Sequence, residues 1–279
     1  MLNHPGIFRS DRVVANGVSL RYHRSYGDKP PLVLAHGMTD MGLCWSRVAR
    51  SLVDRYDIVL YDARGHGESD APKTGHDPLT RSHDLLGLVQ TLNLAKPRLL
   101  GHSLGAVTVA LLAAHRPELA HSIVLEDPPL PDRLERPPAA ERVAEWDKEL
   151  LDWRSSVVEQ LRSSKSELEQ KCRRQSPQWH ESEIEPWAEA KLRVSPLIFD
   201  IPNLRTNDWW HALPRITCPT LLLTGEPQRG AMMTEPAERE LRRICPRLSL
   251  VRLTGAGHNI HREQFDRFIS LVVDFFERA

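Results

Sequence analysis

The chain has no excess charge of either sign, no close cysteine pair and no long apolar run. Lysine plus arginine and aspartate plus glutamate each number 37, so no overall field would recruit nucleic acid or an anionic membrane. Cys44, Cys172, Cys218 and Cys245 form no CxxC and no Cys/His cluster of zinc spacing. They read as free thiols in a reducing compartment. No stretch approaches ~18 uninterrupted apolar residues. The opening MLNHPGIFRSDR also lacks the basic-then-apolar pattern of a signal peptide. The expectation is a cytoplasmic protein with no nucleic-acid or membrane partner and with its oligomeric state open. No repeat or low-complexity tract is visible, although prolines crowd at 128, 129, 131, 137 and 138.

What the chain does have is rhythm. Short apolar runs at 31–37, 57–65, 98–103, 122–127, 220–225 and 248–255 alternate with helix-like segments near 45–54, 80–93, 104–115, 235–244 and 262–277. Nearly continuous Val/Leu/Ile runs suit strands covered on both faces, and their alternation with helices predicts a mostly parallel, doubly wound α/β sheet. At 279 residues the chain can bury a sizeable core.

The rhythm stops after Pro128 and resumes near Pro219. Inside the gap Val143, Trp146, Leu150, Trp153, Val157 and Leu161 recur at steps of three or four, one face of a helix. Ser182 and Glu185 have the spacing of a capping box opening a second helix toward Trp187 and Leu192. The expectation is a helical insertion over the end of the sheet where Glu126 and Asp127 emerge. Six of the seven tryptophans lie in it, so one or two of their rings should face a ligand and the rest should make a small core.

GHSLG at 101–105 places Gly101, Ser103 and Gly105 between a strand and a helix. A serine on so tight a turn is held in strained geometry above the sheet, and its neighbours must be small. A serine hydroxyl needs a base. His258, in the glycine-lined loop TGAGHNIHRE after the last strand, can reach it from the same sheet end, whereas His261 opens the final helix. An acyl-transfer site also needs oxyanion donors. The amides of Met38, in LAHGM, and of Leu104, which follows the serine, are the natural pair. Gly37 leaves room to aim Met38, and His36 braces that loop. Gly37, His102, Trp153, Trp187 and Phe199 are candidates for lining the substrate pocket.

HGM at 36–38, DARGHGES at 62–69, GHSLG and GAGHNIHRE at 255–263 together resemble the α/β-hydrolase fold superfamily, in its order and spacing. The resemblance implies a core of 1–127 and 213–279 and a helical lid of 128–212. It also implies that DARGHGES is a structural turn, with no chemistry assigned to Asp62, Arg64 or His66. Family members most often carry the triad acid in a Gly-x-x-Asp pattern after the next-to-last strand. Here that stretch reads TGEPQRGAMM, with Gln228 at the acid's place. Some relatives, including certain haloalkane dehalogenases and zearalenone lactone hydrolases, place the acid one strand earlier. That place is VLEDPP, and the alignment favours Asp127, with Glu126 as second choice and Glu226 a distant third.

The function expected is a serine hydrolase, needing no cofactor or metal, that cleaves a carboxylic ester or lactone of a medium-sized hydrophobic small molecule. A carbon–carbon bond hydrolase of the same fold, or a small-molecule receptor with vestigial hydrolysis, is the alternative.

Overall fold

The computed structural model describes residues 7–129, 140–199, 209–245 and 247–279. The opening MLNHPG, the prolines at 131, 137 and 138, parts of the expected lid and the side chain of Val143 lie outside the described residues.

Eight strands form one sheet: β1 (Arg9–Ala15), β2 (Val18–Arg24), β3 (Pro31–Ala35), β4 (Asp57–Tyr61), β5 (Arg98–His102), β6 (Ser122–Glu126), β7 (Thr220–Thr224) and β8 (Ser249–Arg252). Their order across the sheet is β1-β2-β4-β3-β5-β6-β7-β8. Six run parallel, as the apolar runs predict, and β2 is antiparallel to β1 and β4. The β1–β2 hairpin escapes the search for apolar runs because Arg9 to Arg12 are exposed on an edge strand. Its one local signal is Asn16-Gly17, both at positive φ (48° and 77°), the dipeptide of a tight hairpin turn.

The strands bury both faces in alternation. Val33, Val59, Leu99, Ile123 and Leu222 pack against α2 (Pro78–Thr91), α3 (Leu104–His115) and the 3-10 turn Trp209–Arg215. Their neighbours Leu34, Leu60, Leu100, Val124 and Leu223 pack against α1 (Ser46–Leu52) and the C-terminal helix through Val48, Leu52, Phe268, Val272 and Phe276. Burying each such side chain contributes ~1.5–3 kcal/mol before entropy is charged.

Between β6 and β7 the described residues form α4 (Ala140–Gln160), α5 (Lys165–Gln175) and α6 (Ile184–Leu192). The capping box does not form at Ser182 and Glu185. Ser182 sits inside a 3-10 turn and pairs with His180. The box closes instead at Ser164 and Glu167, opening a helix the periodicity did not isolate. Of the α4 face read from sequence, Val157 is fully buried, while Trp153 keeps 41% of its surface. Beyond β7 come α7 (Glu235–Ile244), the short α8 (Ile260–Glu263) and α9 (Phe265–Arg278).

Candidate active site

Chain order reverses between β3 and β5, which are sheet neighbours although β4 separates them in sequence. The crevice at such a switch point, off the carboxyl ends of the strands, is where open α/β sheets bind ligands. Met38 leaves β3 there and Ser103 leaves β5.

Ser103 has φ 54° and ψ −121°, a strained conformation for a residue with a side chain. The surroundings enforce it. Its amide donates to the Glu126 carbonyl (2.8 Å), while α3 begins at once behind it, with Ala106 donating to the Ser103 carbonyl (2.9 Å). A Cβ on Gly105 would stand 2.2 Å from the Ala35 carbonyl oxygen, and one on Gly101 2.4 Å from that of Gly105. Only glycine lets helix and strands approach this closely. Leu104 buries its side chain in the core, and its amide, at the first position of α3, has no intrahelical acceptor.

Met38, expected as the partner donor, sits in a loop pinned by two buried histidines. His36 donates from Nδ1 to the Gly37 carbonyl (2.7 Å) and accepts the Ala63 amide at Nε2 (2.9 Å). His66 donates from Nε2 to the Met38 carbonyl (2.5 Å). Burial lowers His36 to about 4 and His66 well below its ordinary value, so both stay neutral at pH 7. The other DARGHGES residues also serve structure: Asp62 accepts the Gly42 and Glu68 amides, and Arg64 pairs with Asp84.

Gly37 is the tight point of this loop. A Cβ there would lie 2.9 Å from Nδ1 of His102 and 3.4 Å from Cβ of Ser103. Gly37→Ala therefore pushes the loop away and withdraws the Met38 amide. The expected loss is ~10²-fold in kcat, the scale of one oxyanion donor, with KM nearly unchanged. Steady-state kinetics on a p-nitrophenyl ester check it.

Both carboxylates of VLEDPP face a histidine, but different ones. Asp127 is completely buried at φ 38°. Its Oδ2 accepts from Nδ1 of His258 (2.6 Å) and from the Met232 amide (2.8 Å), and its Oδ1 accepts from the Met233 amide (3.2 Å). Those amides belong to the loop after β7, the stretch that lacks the usual acid. It binds the Asp127 carboxylate through these two amides. With Nδ1–H committed to Asp127, Nε2 of His258 is the free base nitrogen.

Glu126 accepts from His261 through both the amide (2.9 Å) and Nδ1 (2.8 Å). Burial raises Glu126 to about 7 and lowers His261 to about 3. This second pair is fully enclosed, with Trp45 against the His261 ring. Glu226 binds the Gly255 amide and Arg229, away from either pair.

A cavity of about 270 Å³ opens over these groups, lined by Gly37, Met38, His102, Ser103, Trp153, Trp187 and His258, all anticipated from sequence. Phe199 does not line it. Its ring packs edge-on against Trp153, with centroids 5.3 Å apart. Trp209 and Trp210 are buried in the core beside α3. A second hollow of about 310 Å³, between the β1–β2 hairpin and α5–α6, is lined by Ser10 and His23, in contact at 2.6 Å, and by mutually paired charges such as Arg193 with Glu68 and Lys165 with Glu189.

The sequence reading missed the polar wall of the first cavity: Thr39, Asp40, Gln160, Trp179, Lys191, Asn259 and Arg262. Lys191 reaches Thr39 Oγ1 (2.8 Å) and Asp40 (3.2 Å), while Arg262 reaches Asp40 (2.9 Å) and Glu183 (3.4 Å). Two cations thus meet two carboxylates, joining Glu183 and Lys191 of the insertion to Asp40 and Arg262 of the sheet edge. Burial alone would raise the Asp40 carboxyl, but Arg262 and Lys191 hold it well below the usual range. Removing one member of a buried ion network costs ~3–5 kcal/mol because its partner is left charged and dry. Arg262→Met, which strands Glu183, should destabilise by about that much in urea unfolding. Adding Glu183→Gln should restore part of it.

A doubly wound sheet that brings a strained serine, a buried acid and a histidine to one edge is the architecture of a hydrolase. The chain belongs to the alpha/beta hydrolase family, whose profile matches residues 32–271. It is similar to 2-(acetamidomethylene)succinate hydrolase of Mesorhizobium japonicum, 26% identical over 97% of this chain and 96% of that one. It is also similar to N-formylmaleamate deformylase of Pseudomonas putida, 27% identical over 95% of each. The crystal structure of E-2-(acetamidomethylene)succinate hydrolase covers 97% of this chain and 99% of its own at TM-score 0.80 and 25% identity. The enol-lactonase from Burkholderia xenovorans covers 96% and 100%, with TM-score 0.74 at 22% identity, a likeness of fold. Among the described residues no helix is long and apolar enough to cross a membrane.

Proposed function

We propose that the chain is a serine hydrolase that cleaves a carboxylic ester or lactone of a small molecule through an acyl-enzyme on Ser103. What carries the reading is the 2.6 Å contact of His258 with a completely buried Asp127 beside the cavity that Ser103 lines.

Nε2 of His258 takes the proton as Oγ of Ser103 attacks the carbonyl, and Asp127 stabilises the imidazolium that forms. The Met38 and Leu104 amides receive the oxyanion. His258 then returns the proton to the leaving group, and water deacylates Ser103 by the same route. The helices between β6 and β7 act as the lid, with Trp153 and Trp187 in its inner wall. The cysteines are unpaired, in keeping with the cytoplasmic location expected above.

The test is a stopped-flow burst with a p-nitrophenyl ester, wild type beside Ser103→Ala. A burst absent from the variant supports an acyl-enzyme. No burst and no turnover in wild type rejects it in favour of a receptor-like protein.

A second reading has its own support. Two relatives matched over nearly their whole length are named for acetamido and N-formyl compounds. The same triad cleaves an acyl–nitrogen bond when His258 protonates the departing nitrogen, so N-acyl substrates belong in the panel beside esters and lactones. A preference for N-acyl compounds over matched esters would select this reading.

A further inference from the structure

Three side chains in the cavity wall carry a buried polar atom with no hydrogen-bond partner among the described residues: Nδ1 of His102, Oε1 of Gln160 and Nε1 of Trp179. Folded proteins rarely leave such atoms unpaired, and each exception asks for a cause. Here the three come from separate elements, the last residue of β5, the last residue of α4 and the segment after α5, and they share one chamber.

Their chemistry is fixed by what their other atoms do. His102 donates from Nε2 to the His258 carbonyl (2.9 Å). Burial lowers its pKa to about 3, so the ring is neutral and Nδ1 offers a lone pair. Gln160 commits its amide nitrogen to Ser156 Oγ (3.3 Å), leaving its carbonyl oxygen as an acceptor. The indole nitrogen of Trp179 can only donate, and the ring's face carries the Arg262 guanidinium, 4.5 Å from its centroid. Of the wall, these three atoms therefore offer two acceptors and one donor. Its charged members do not change that balance, because Lys191 and Arg262 are already matched by Asp40 and Glu183.

We infer that the substrate's acyl part is small and polar, carrying a secondary amide whose N–H meets the Gln160 acceptor and whose carbonyl takes the Trp179 N–H. This replaces the hydrophobic substrate expected from the tryptophan content, and it rests on Ser103 being the acylated residue. A secondary amide supplies one donor and one acceptor within a few bonds, which an alkyl chain of the same volume cannot.

Three methyl esters of nearly equal shape test it: N-acetylglycinate, 4-oxopentanoate, in which CH₂ replaces N–H, and pentanoate, which lacks the carbonyl as well. Each kcat/KM is divided by the ester's hydroxide-catalysed rate. The expected order falls ~10-fold at each step, the scale of one lost hydrogen bond in a dry site. Gln160→Leu or Trp179→Phe should compress its own step to less than about threefold. Equal rates, a preference for pentanoate, or steps unchanged in both variants would overturn the inference.

If no ester is turned over, calorimetry on Ser103→Ala with the free acids separates the two failures. Tighter binding of N-acetylglycine than of pentanoate keeps the polar subsite and rejects the hydrolase. Equal or weaker binding rejects the subsite.

Discussion

Asp127→Asn is expected to lower the acylation rate by about four orders of magnitude, the scale of losing the negative charge of a serine triad, while Glu126→Gln stays within about tenfold of wild type. The contrast follows from which histidine each carboxylate holds. Asp127 bonds Nδ1 of His258, and an amide in its place cannot stabilise the imidazolium and can present N–H to a ring nitrogen that should donate. Glu126 instead binds His261, whose ring is enclosed against Trp45 and does not line the cavity. Folding should survive in Asp127→Asn, because the asparagine carbonyl can still accept the Met232 or Met233 amide. A normal melting curve with a collapsed burst thus assigns the loss to chemistry. Collapse in Glu126→Gln alone would move the acid by one residue and overturn the assignment.

Why a carboxylate that meets a histidine beside the cavity stands out in the sequence, while much of the cavity does not, is a matter of what one dimension records. Strand ends, the glycines of the elbow and the missing acid at Gln228 are local patterns. VLEDPP stood out because two carboxylates close an apolar run. Ranking Asp127 above Glu126 came from the resemblance, and in the structure each proves to have its own histidine. The polar wall had no such signal. Lys191, Asp40 and Arg262 belong to no local pattern, and only tertiary packing puts them together in the cavity wall. Ser182 and Ser164 are both followed three residues later by glutamate, so spacing could not say which one caps a helix. The backbone decided it, running as a 3-10 turn at 181–183.

The stability of the fold should fall steeply below pH 6.5. Burial lowers His23 and His36 to about 4, His102 and His261 to about 3, and His66 well below its ordinary value. A histidine whose folded pKa is depressed stays neutral in the native state while the unfolded chain takes up a proton, so stability is lost as pH falls through 6.5. Two buried carboxyls act in the opposite sense. Glu126 is raised by burial to about 7 and Asp62 to about 6, so each adds stability as pH falls from its folded value toward the ordinary carboxylate range.

Five groups oppose two. Near pH 5 the unfolded chain should bind roughly two to three more protons than the native one, a slope on the order of 3 kcal/mol per pH unit. For a stability near the lower end of the ~5–15 kcal/mol range, that places acid unfolding at about pH 5, which tryptophan fluorescence and far-ultraviolet dichroism would follow from pH 8 downward. Above about pH 8 this set of groups is nearly silent, because by then Glu126 is largely ionised in the native state as well and the histidines are neutral in both. A native signal unchanged at pH 4 would mean that these histidines can take up protons inside the fold. The neutral rings now bracing the Met38 loop and the His258 carbonyl would then have to be reassigned as imidazolium.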